Sequence, residues 1–323
     1  MLSGGALAMA KKTRSGFAAL IGRPNVGKST LLNRLTGEKI AIVSPKPQTT
    51  RNRILGVVTR PEGQVAFLDT PGIHEAKGQL NRFMVDVALK ATADVDLVIF
   101  MIEATEGAKE TPEIGPGNRF ILERLLKVNK PTLLVINKID RVEKPLLLPL
   151  IDLYQREFAF AEVLPISARA GDGVDGLFDL VLDRMPVGEM MFDPDMLTDQ
   201  AEKTLVGEYI REQVLANCRQ EIPYSTAVLV EYFDETDRDP LEQNRGKSGL
   251  QGLVRIDASI FVERDSQKAI LIGKRGAMLK TIGTGARKSI ERLLGTHVYL
   301  ALRVRVEAGW SERPEGLRKL GYE

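Results

Sequence analysis

The sequence is poor in the residues that build covalent or metal frameworks. Its 323 residues include one cysteine, Cys218, and two histidines, so the chain forms no internal disulfide and assembles no zinc cluster. Both facts suit a reducing cytosol. Long apolar runs are also missing. The longest, Leu97-Val98-Ile99-Phe100-Met101-Ile102, is strand-sized and far short of a membrane span. Residues 1–10 are small and apolar, and Ala8-Met9-Ala10 looks like a cleavage site. The segment lacks a basic n-region, however, and its apolar stretch is too short for a signal peptide. Residues 1–13 therefore read as a disordered extension. With 43% hydrophobic and 27% charged residues, the remainder reads as a soluble globular chain long enough for two domains. Net charge is only +2, but from Arg245 onward there are 16 basic against 8 acidic residues, leaving 29 against 35 in the rest. A basic carboxyl-terminal third behind an acidic front predicts a polyanion partner for one domain only.

What is present is organised around Gly22-Arg23-Pro24-Asn25-Val26-Gly27-Lys28-Ser29, which fits the phosphate-loop pattern G-x-x-x-x-G-K-[ST]. The apolar run Phe17–Ile21 precedes it as a buried strand, and Leu31, Leu32 and Leu35 after it have the spacing of a helix face. Backbone N–H groups at such a helix start point into one concavity and cradle phosphate oxygens. Lys28 is placed to reach the β- and γ-phosphates, and Ser29, with Thr30 following, to ligate Mg2+. The strand Val65–Asp69 runs into Asp69-Thr70-Pro71-Gly72 about forty residues later, where a nucleotide hydrolase places its Mg2+-associated carboxylate, acting through water. In the proline-rich loop 41–51, one threonine of Thr49-Thr50 should close on Mg2+ when a γ-phosphate is present, with Thr50 favoured by its place before Arg51. Loops 44–51 and 70–80 are thus the expected switch elements, and Lys28, Thr50, Asp69 and Gly72 the expected catalytic set.

The strand Thr132–Ile136 leads into Asn137-Lys138-Ile139-Asp140. A carboxylate at Asp140 can accept hydrogen bonds from the N1–H and exocyclic amine of guanine, an edge that adenine lacks. The Asn137 amide is expected at the other face of the base, and the Lys138 stem over the ring. Ser167-Ala168-Arg169 follows the next strand, and the Ala168 N–H is expected at the guanine carbonyl. Strands alternating with helices at 97–184 predict an open, mostly parallel, doubly wound α/β sheet with its ligand beyond the strand carboxyl ends. Residues 17–184 resemble a translation-factor-type P-loop GTPase domain binding GTP or GDP with Mg2+. Small signalling GTPases carry a water-orienting glutamine after the Asp-x-x-Gly motif; here that position is Ile73. His74 beside it reads as an incidental surface histidine. The hydrophobic-substituted GTPases that the domain resembles often carry an asparagine at the place of Asn25, and the resemblance implies that Asn25 helps hold K+ in place of an arginine finger.

Residues 186–199, with Pro186, Gly188 and Pro194, read as a linker between a domain at 14–185 and one at 200–323. In the second, the helix 201–218 carries Leu205, Tyr209, Ile210 and Val214 on one side. A strand at 224–233 and a long charged loop at 234–252 precede the alternating strand Leu253–Val262. Then come Ile272-Gly273-Lys274-Arg275-Gly276 and Lys280 between two helices, and a third strand at 298–306. Gly-x-x-Gly between helices in this element order predicts an α+β KH domain of type II, whose tight basic loop clamps a nucleic-acid backbone. Trp310 either stacks on a base or anchors the tail. Both domains, with Pro47-Gln48-Thr49-Thr50-Arg51 and the tail Trp310-Ser311-Glu312-Arg313-Pro314, resemble the Era-like family of bacterial GTPases from about residue 14 onward. The resemblance implies a slow, monomeric, cytoplasmic GTPase. It would bind the 3′ end of small-subunit ribosomal RNA, assist 30S maturation and contact the inner membrane peripherally. An RNA-binding protein with a merely structural nucleotide is the alternative.

Overall fold

The computed structural model describes residues 13–74, 78–107, 112–218, 222, 224–238 and 252–322. Its centre is β1 (Arg14–Gly22), paired in parallel with β3 (Gly63–Asp69) on one side and β4 (Leu97–Glu103) on the other. Beyond β4 the parallel sheet continues through β5 (Thr132–Asn137) and β6 (Glu162–Pro165). Beyond β3 it ends at β2 (Ile54–Arg60), the one antiparallel member, giving the order β2-β3-β1-β4-β5-β6. The central strands are apolar throughout because both faces are covered. Residues of α1 (Lys28–Thr36) and α5 (Val174–Asp183) bury one face. Those of α2 (Gln79–Lys90), α3 (Pro116–Leu125) and α4 (Leu147–Glu157) bury the other. Each such side chain contributes about 1.5–3 kcal/mol when fully buried. Because the parallel neighbours of β1, β3 and β4, lie on opposite sides of it, a crevice opens at the carboxyl end of β1.

The second sheet has the order β7 (Ala227–Asp237), β8 (Leu253–Val262), β9 (His297–Val306), antiparallel then parallel. Along β8, Val254, Ile256, Ala258 and Ile260 face a core shared with α6 (Glu202–Asn217), α7 (Asp265–Ile272) and α8 (Ala277–Leu294). At the far end of the reverse face, Phe261 is buried with Leu317 of α9 (Pro314–Lys319), Trp310, Leu320 and Tyr322, and with Leu80 and Met84 of α2. Trp310 is fully buried, donates from Nε1 to the Ser225 carbonyl at 3.1 Å and stacks on Tyr322. Of its two expected roles it takes the tail anchor, leaving no face for a base.

Several boundaries differ from expectation. The Gly188 N–H donates to the Thr13 carbonyl at 3.0 Å and the Thr13 hydroxyl to the Gly188 carbonyl at 2.7 Å, so Thr13 is held on the first unit, while the rest of the expected extension lies outside the described residues. The stretch 186–199 is held on the first sheet. Fully buried Gln64 accepts from the N–H groups of Met191 and Phe192, each at 2.9 Å, and edge strand β2 donates from Val57 N–H to the Leu197 carbonyl at 2.8 Å. β7 runs on to Asp237, into the segment expected as a loop, whose residues 239–251 lie outside those described. Residues 75–77 of the expected 70–80 switch also lie outside, and helix α2, absent from the sequence reading, takes over at Gln79.

Candidate functional site

The glycine loop leaves β1 at Gly22 and enters α1 at Lys28. Gly27 has φ 104°, and a β-carbon there would lie 2.2 Å from the Asn137 amide nitrogen, so no other residue fits without displacing that side chain. Gly72 is required by proximity: its added β-carbon would lie 2.6 Å from the Pro24 backbone. The loop walls a cavity of about 340 Å³ with Pro24, Asn25, Gly27, Lys28, Ser29 and Thr30. Thr49, Thr50, Gly72 and Lys138 complete it, together with Ser44, Pro45 and Gln48 of the expected 44–51 switch and with Ile42, Val43 and Arg141, which the sequence reading did not single out. Buried Lys28 donates to the Gly22 and Arg23 carbonyls at 3.2 and 3.0 Å. Burial pushes its ammonium down to about 8, with Asp69 opposing.

Beneath Lys28, three oxygen-bearing side chains from separate segments meet. Ser29 Oγ donates to Asp69 Oδ2 at 2.6 Å and lies 2.9 Å from Thr50 Oγ1, which donates to the same carboxylate oxygen at 3.2 Å. Asp69 is fully buried, and burial pushes its carboxyl above the ordinary range. Its other oxygen, Oδ1, is buried with no hydrogen-bond partner. Two hydroxyls and a carboxylate with an unpartnered oxygen form a hard-oxygen donor set of the kind Mg2+ uses alongside phosphates. Thr49, by contrast, turns its hydroxyl to the Lys46 carbonyl at 2.8 Å.

The base-side residues divide. Asp140 is exposed and accepts from Ser167 Oγ at 2.7 Å, a hydrogen bond that holds its carboxyl below the usual range. The Lys138 ammonium, lowered by burial, is fixed by the Asn25 carbonyl at 2.7 Å and by Glu103, which sets the direction of its stem. Asn137 has a bracing role that its motif does not announce. Its amide donates to the Val26 carbonyl at 2.7 Å and accepts from the Ala168 N–H at 2.9 Å. One N–H of the amide and one lone pair of its oxygen thus brace the 167–169 loop against the phosphate loop, and the second N–H takes no part in that bracing. Arg169 is exposed at the rim, and Arg23 pairs with Glu106 at 3.7 Å. Thr70 and Ile73 also leave the site. Thr70 Oγ1 donates to the Leu20 carbonyl at 2.8 Å, Pro71 is buried between them, and Ile73 is fully buried in the apolar core. The His74 ring nitrogens lie 3.0 Å from the Gly72 carbonyl and 3.3 Å from the Asn81 amide oxygen, away from the cavity lining.

In the second sheet's unit, the turn from α7 to α8 is built for an exposed loop. Gly273 and Gly276 have φ of 70° and 79°, and Arg275 is itself left-handed at 51°. Lys274, Arg275 and Lys280 are exposed and Ile272 half-buried. A groove of about 590 Å³ runs from Gly276 between α8 and β9, past Gly283, Thr284 and Arg287 to Tyr299, which is 57% exposed. The signal for this floor was Gly283 inside a helix, which leaves room for a strand or ligand to approach.

The 50S ribosome-binding GTPase family matches residues 17–138, and the KH domain family residues 221–311. The chain is 50% identical over 309 residues to GTPase Era of Geobacter metallireducens, covering 96% of this chain and 98% of that protein. It is 49% identical over 308 residues to GTPase Era of Lacticaseibacillus paracasei, covering 95% and 96%. It is also similar to a crystal structure of Era in complex with MgGDPNP and nucleotides 1506–1542 of 16S ribosomal RNA, with TM-score 0.87 and 40% identity over 96% of this chain and 99% of that one. A crystal structure of an Aquifex aeolicus Era variant bound to GDP·AlF4− matches with the same TM-score, identity and coverage.

Proposed function

Because this chain belongs to the Era family of GTPases, and so hydrolyses GTP to GDP and phosphate, we propose that it is a switch whose nucleotide state governs how its KH domain grips small-subunit ribosomal RNA during 30S maturation. The observation that carries the reading is the meeting of Ser29, Thr50 and Asp69 beneath Lys28. In this proposal the loop N–H groups and Lys28 hold the β- and γ-phosphates, Lys28 exchanging the Gly22 and Arg23 carbonyls for phosphate oxygens. Ser29 and Thr50 would hold Mg2+ directly and Asp69 would orient its water. The ion held there would neutralise charge that builds on the phosphates during transfer. Asp140 reads the guanine edge, with Asn137 and Ser167 keeping it in place. Because Ile73 lies in the core, the attacking water must be oriented by other groups. Asn25 donates from its amide to the Pro45 carbonyl at 2.7 Å, which leaves the amide oxygen as a candidate ligand for K+.

The RNA half of the proposal rests on the exposed Lys274-Arg275 turn and the groove beside it. The 50S ribosome-binding GTPase family matches only residues 17–138, whereas the relative that holds 16S RNA matches across nearly the whole chain. The domain division at 14–185, 186–199 and 200–323 enters from the Pro186, Gly188 and Pro194 of the linker, and a monomeric cytoplasmic protein with peripheral contact to the inner membrane from the family resemblance. Among the described residues no helix is long and apolar enough to cross a membrane. By linkage, RNA must strengthen GTP binding as much as GTP strengthens RNA binding. The test is phosphate release with and without the 16S 3′ segment, in potassium and in sodium buffer. Turnover is expected to rise with RNA and to need potassium. Near-zero release under every condition would favour the alternative of a structural nucleotide, and equal rates in the two salts would remove the potassium site.

The lowered Lys28 makes nucleotide affinity depend on pH. Polyphosphate prefers the cation, so affinity should be level below pH 8 and fall above it by up to about tenfold per unit, with proton uptake on binding. Fold stability moves the other way, rising from pH 8 toward 10.5, where the unfolded chain still binds that proton and the folded one does not. Calorimetric titration in two buffers of different ionisation heat reads the uptake.

A further inference from the structure

We infer that Arg211, on helix α6 of the second unit, is a positioning residue for the Thr50 hydroxyl, so that preference for a triphosphate over a diphosphate is set partly from outside the nucleotide site. The inference deepens the proposed function and rests on its reading of Thr50 as a Mg2+ ligand. The guanidinium of Arg211 is 1% exposed. Nε and Nη2 donate to the two carboxylate oxygens of Glu208 at 2.9 and 2.5 Å, which fixes the plane of the fork. Its outward N–H groups donate to the Gln48 carbonyl at 3.3 Å and to the Thr49 carbonyl. Those are the two peptide groups immediately before Thr50.

The loop needs this restraint. Gln48 is left-handed, φ 60°, a conformation that disfavours a residue with a side chain and persists only where neighbours hold it. Arg211 holds its carbonyl, while Asn81 of α2 accepts from its side-chain amide at 2.8 Å. With both carbonyls turned toward α6, the next side chain turns inward, and Thr50 reaches Ser29 and Asp69. The same stretch is fastened to α6 at its start: Ile42 packs in the core with Val206 and Ile210, and Lys46 donates to the Leu215 and Cys218 carbonyls. A ligand that displaces α6 therefore pulls on the loop that carries Thr50.

The test compares labelled GDP with a non-hydrolysable GTP analogue, titrated across magnesium concentrations into the full chain, Arg211→Lys and Thr50→Ala. Lysine keeps the charge and loses the fork. Arg211→Lys should leave GDP affinity within about twofold, lower analogue affinity about tenfold and raise the magnesium needed to bind the analogue. In Thr50→Ala it should add little, because both changes act on one group. Equal losses for GDP and analogue, or full additivity, would overturn the inference. If Thr50→Ala leaves the analogue-to-GDP ratio unchanged, the Mg2+ reading of Thr50 fails and this inference with it. If Thr50→Ala lowers the ratio and Arg211→Lys does not, only this inference fails. Should thermal unfolding show Arg211→Lys unfolded, Glu208→Gln, at a side chain that is 26% exposed, decides on the same ratio with a severalfold loss.

Discussion

Asp140→Asn is expected to lower GTP affinity about a hundredfold and to move the preference to xanthosine triphosphate. The carboxylate sits exposed just past β5, and one oxygen already accepts from Ser167 Oγ, which keeps it charged well below neutral pH. Guanine presents two donors on one edge, N1–H and the 2-amino group. Hydrogen bonds to a charged group contribute about 1.5–3 kcal/mol each, so losing the charge and setting an amide donor against one of them should cost about 3 kcal/mol, or a hundredfold. Xanthine has a carbonyl where guanine has its amine, and the new amide can donate to it. Competition between the two triphosphates, read by fluorescence, checks this. An unchanged guanine preference would take the reading role away from Asp140.

Lys274→Asp combined with Arg275→Asp should lower affinity for the 16S segment by about a hundredfold while leaving GTP affinity alone. Both side chains are exposed on the turn between α7 and α8, and neither lines the nucleotide cavity. The reversal removes two cation–phosphate contacts and adds repulsion. On a single strand each lost contact should also flatten the salt dependence by about 0.7 in the log–log slope. Binding curves at several salt concentrations therefore separate a lost phosphate clamp from a misfolded domain, which would bind weakly at every salt with no defined slope. Equal affinity in wild type and double variant would remove this loop from the RNA contact.

The features legible in the sequence were those written in neighbouring residues. The phosphate loop is a glycine pattern between an apolar run and an apolar helix stripe, and β8 is a strict alternation. What escaped were contacts between residues far apart. Arg211 reads as surface charge, yet the loop before Thr50 covers it. Arg51 likewise is buried, donating to the Tyr224 and Thr226 carbonyls and the Tyr322 hydroxyl, partners available only once the carboxyl-terminal tail has docked. Gln64 is silent in sequence because a polar residue in a strand says nothing of the chain that will come to lie across it. The motif at Asn137 points to the base, but not to the two distant backbone segments, at Val26 and Ala168, that its amide also braces. α2 was legible in principle, since its buried Leu80, Met84, Val85 and Ala88 have the spacing of a helix face.

The loop that bears Thr50 is fastened at both ends into the second unit, by Ile42 among the side chains of α6 and by Arg51 among the carbonyls beyond it. Irregular surface loops ordinarily tolerate gain or loss of a residue. Here one residue more or fewer would leave either the aliphatic plug or the buried cation out of reach of its seat. The segment behaves as a strap cut to measure, and its length, more than its composition, is what substitution cannot repair.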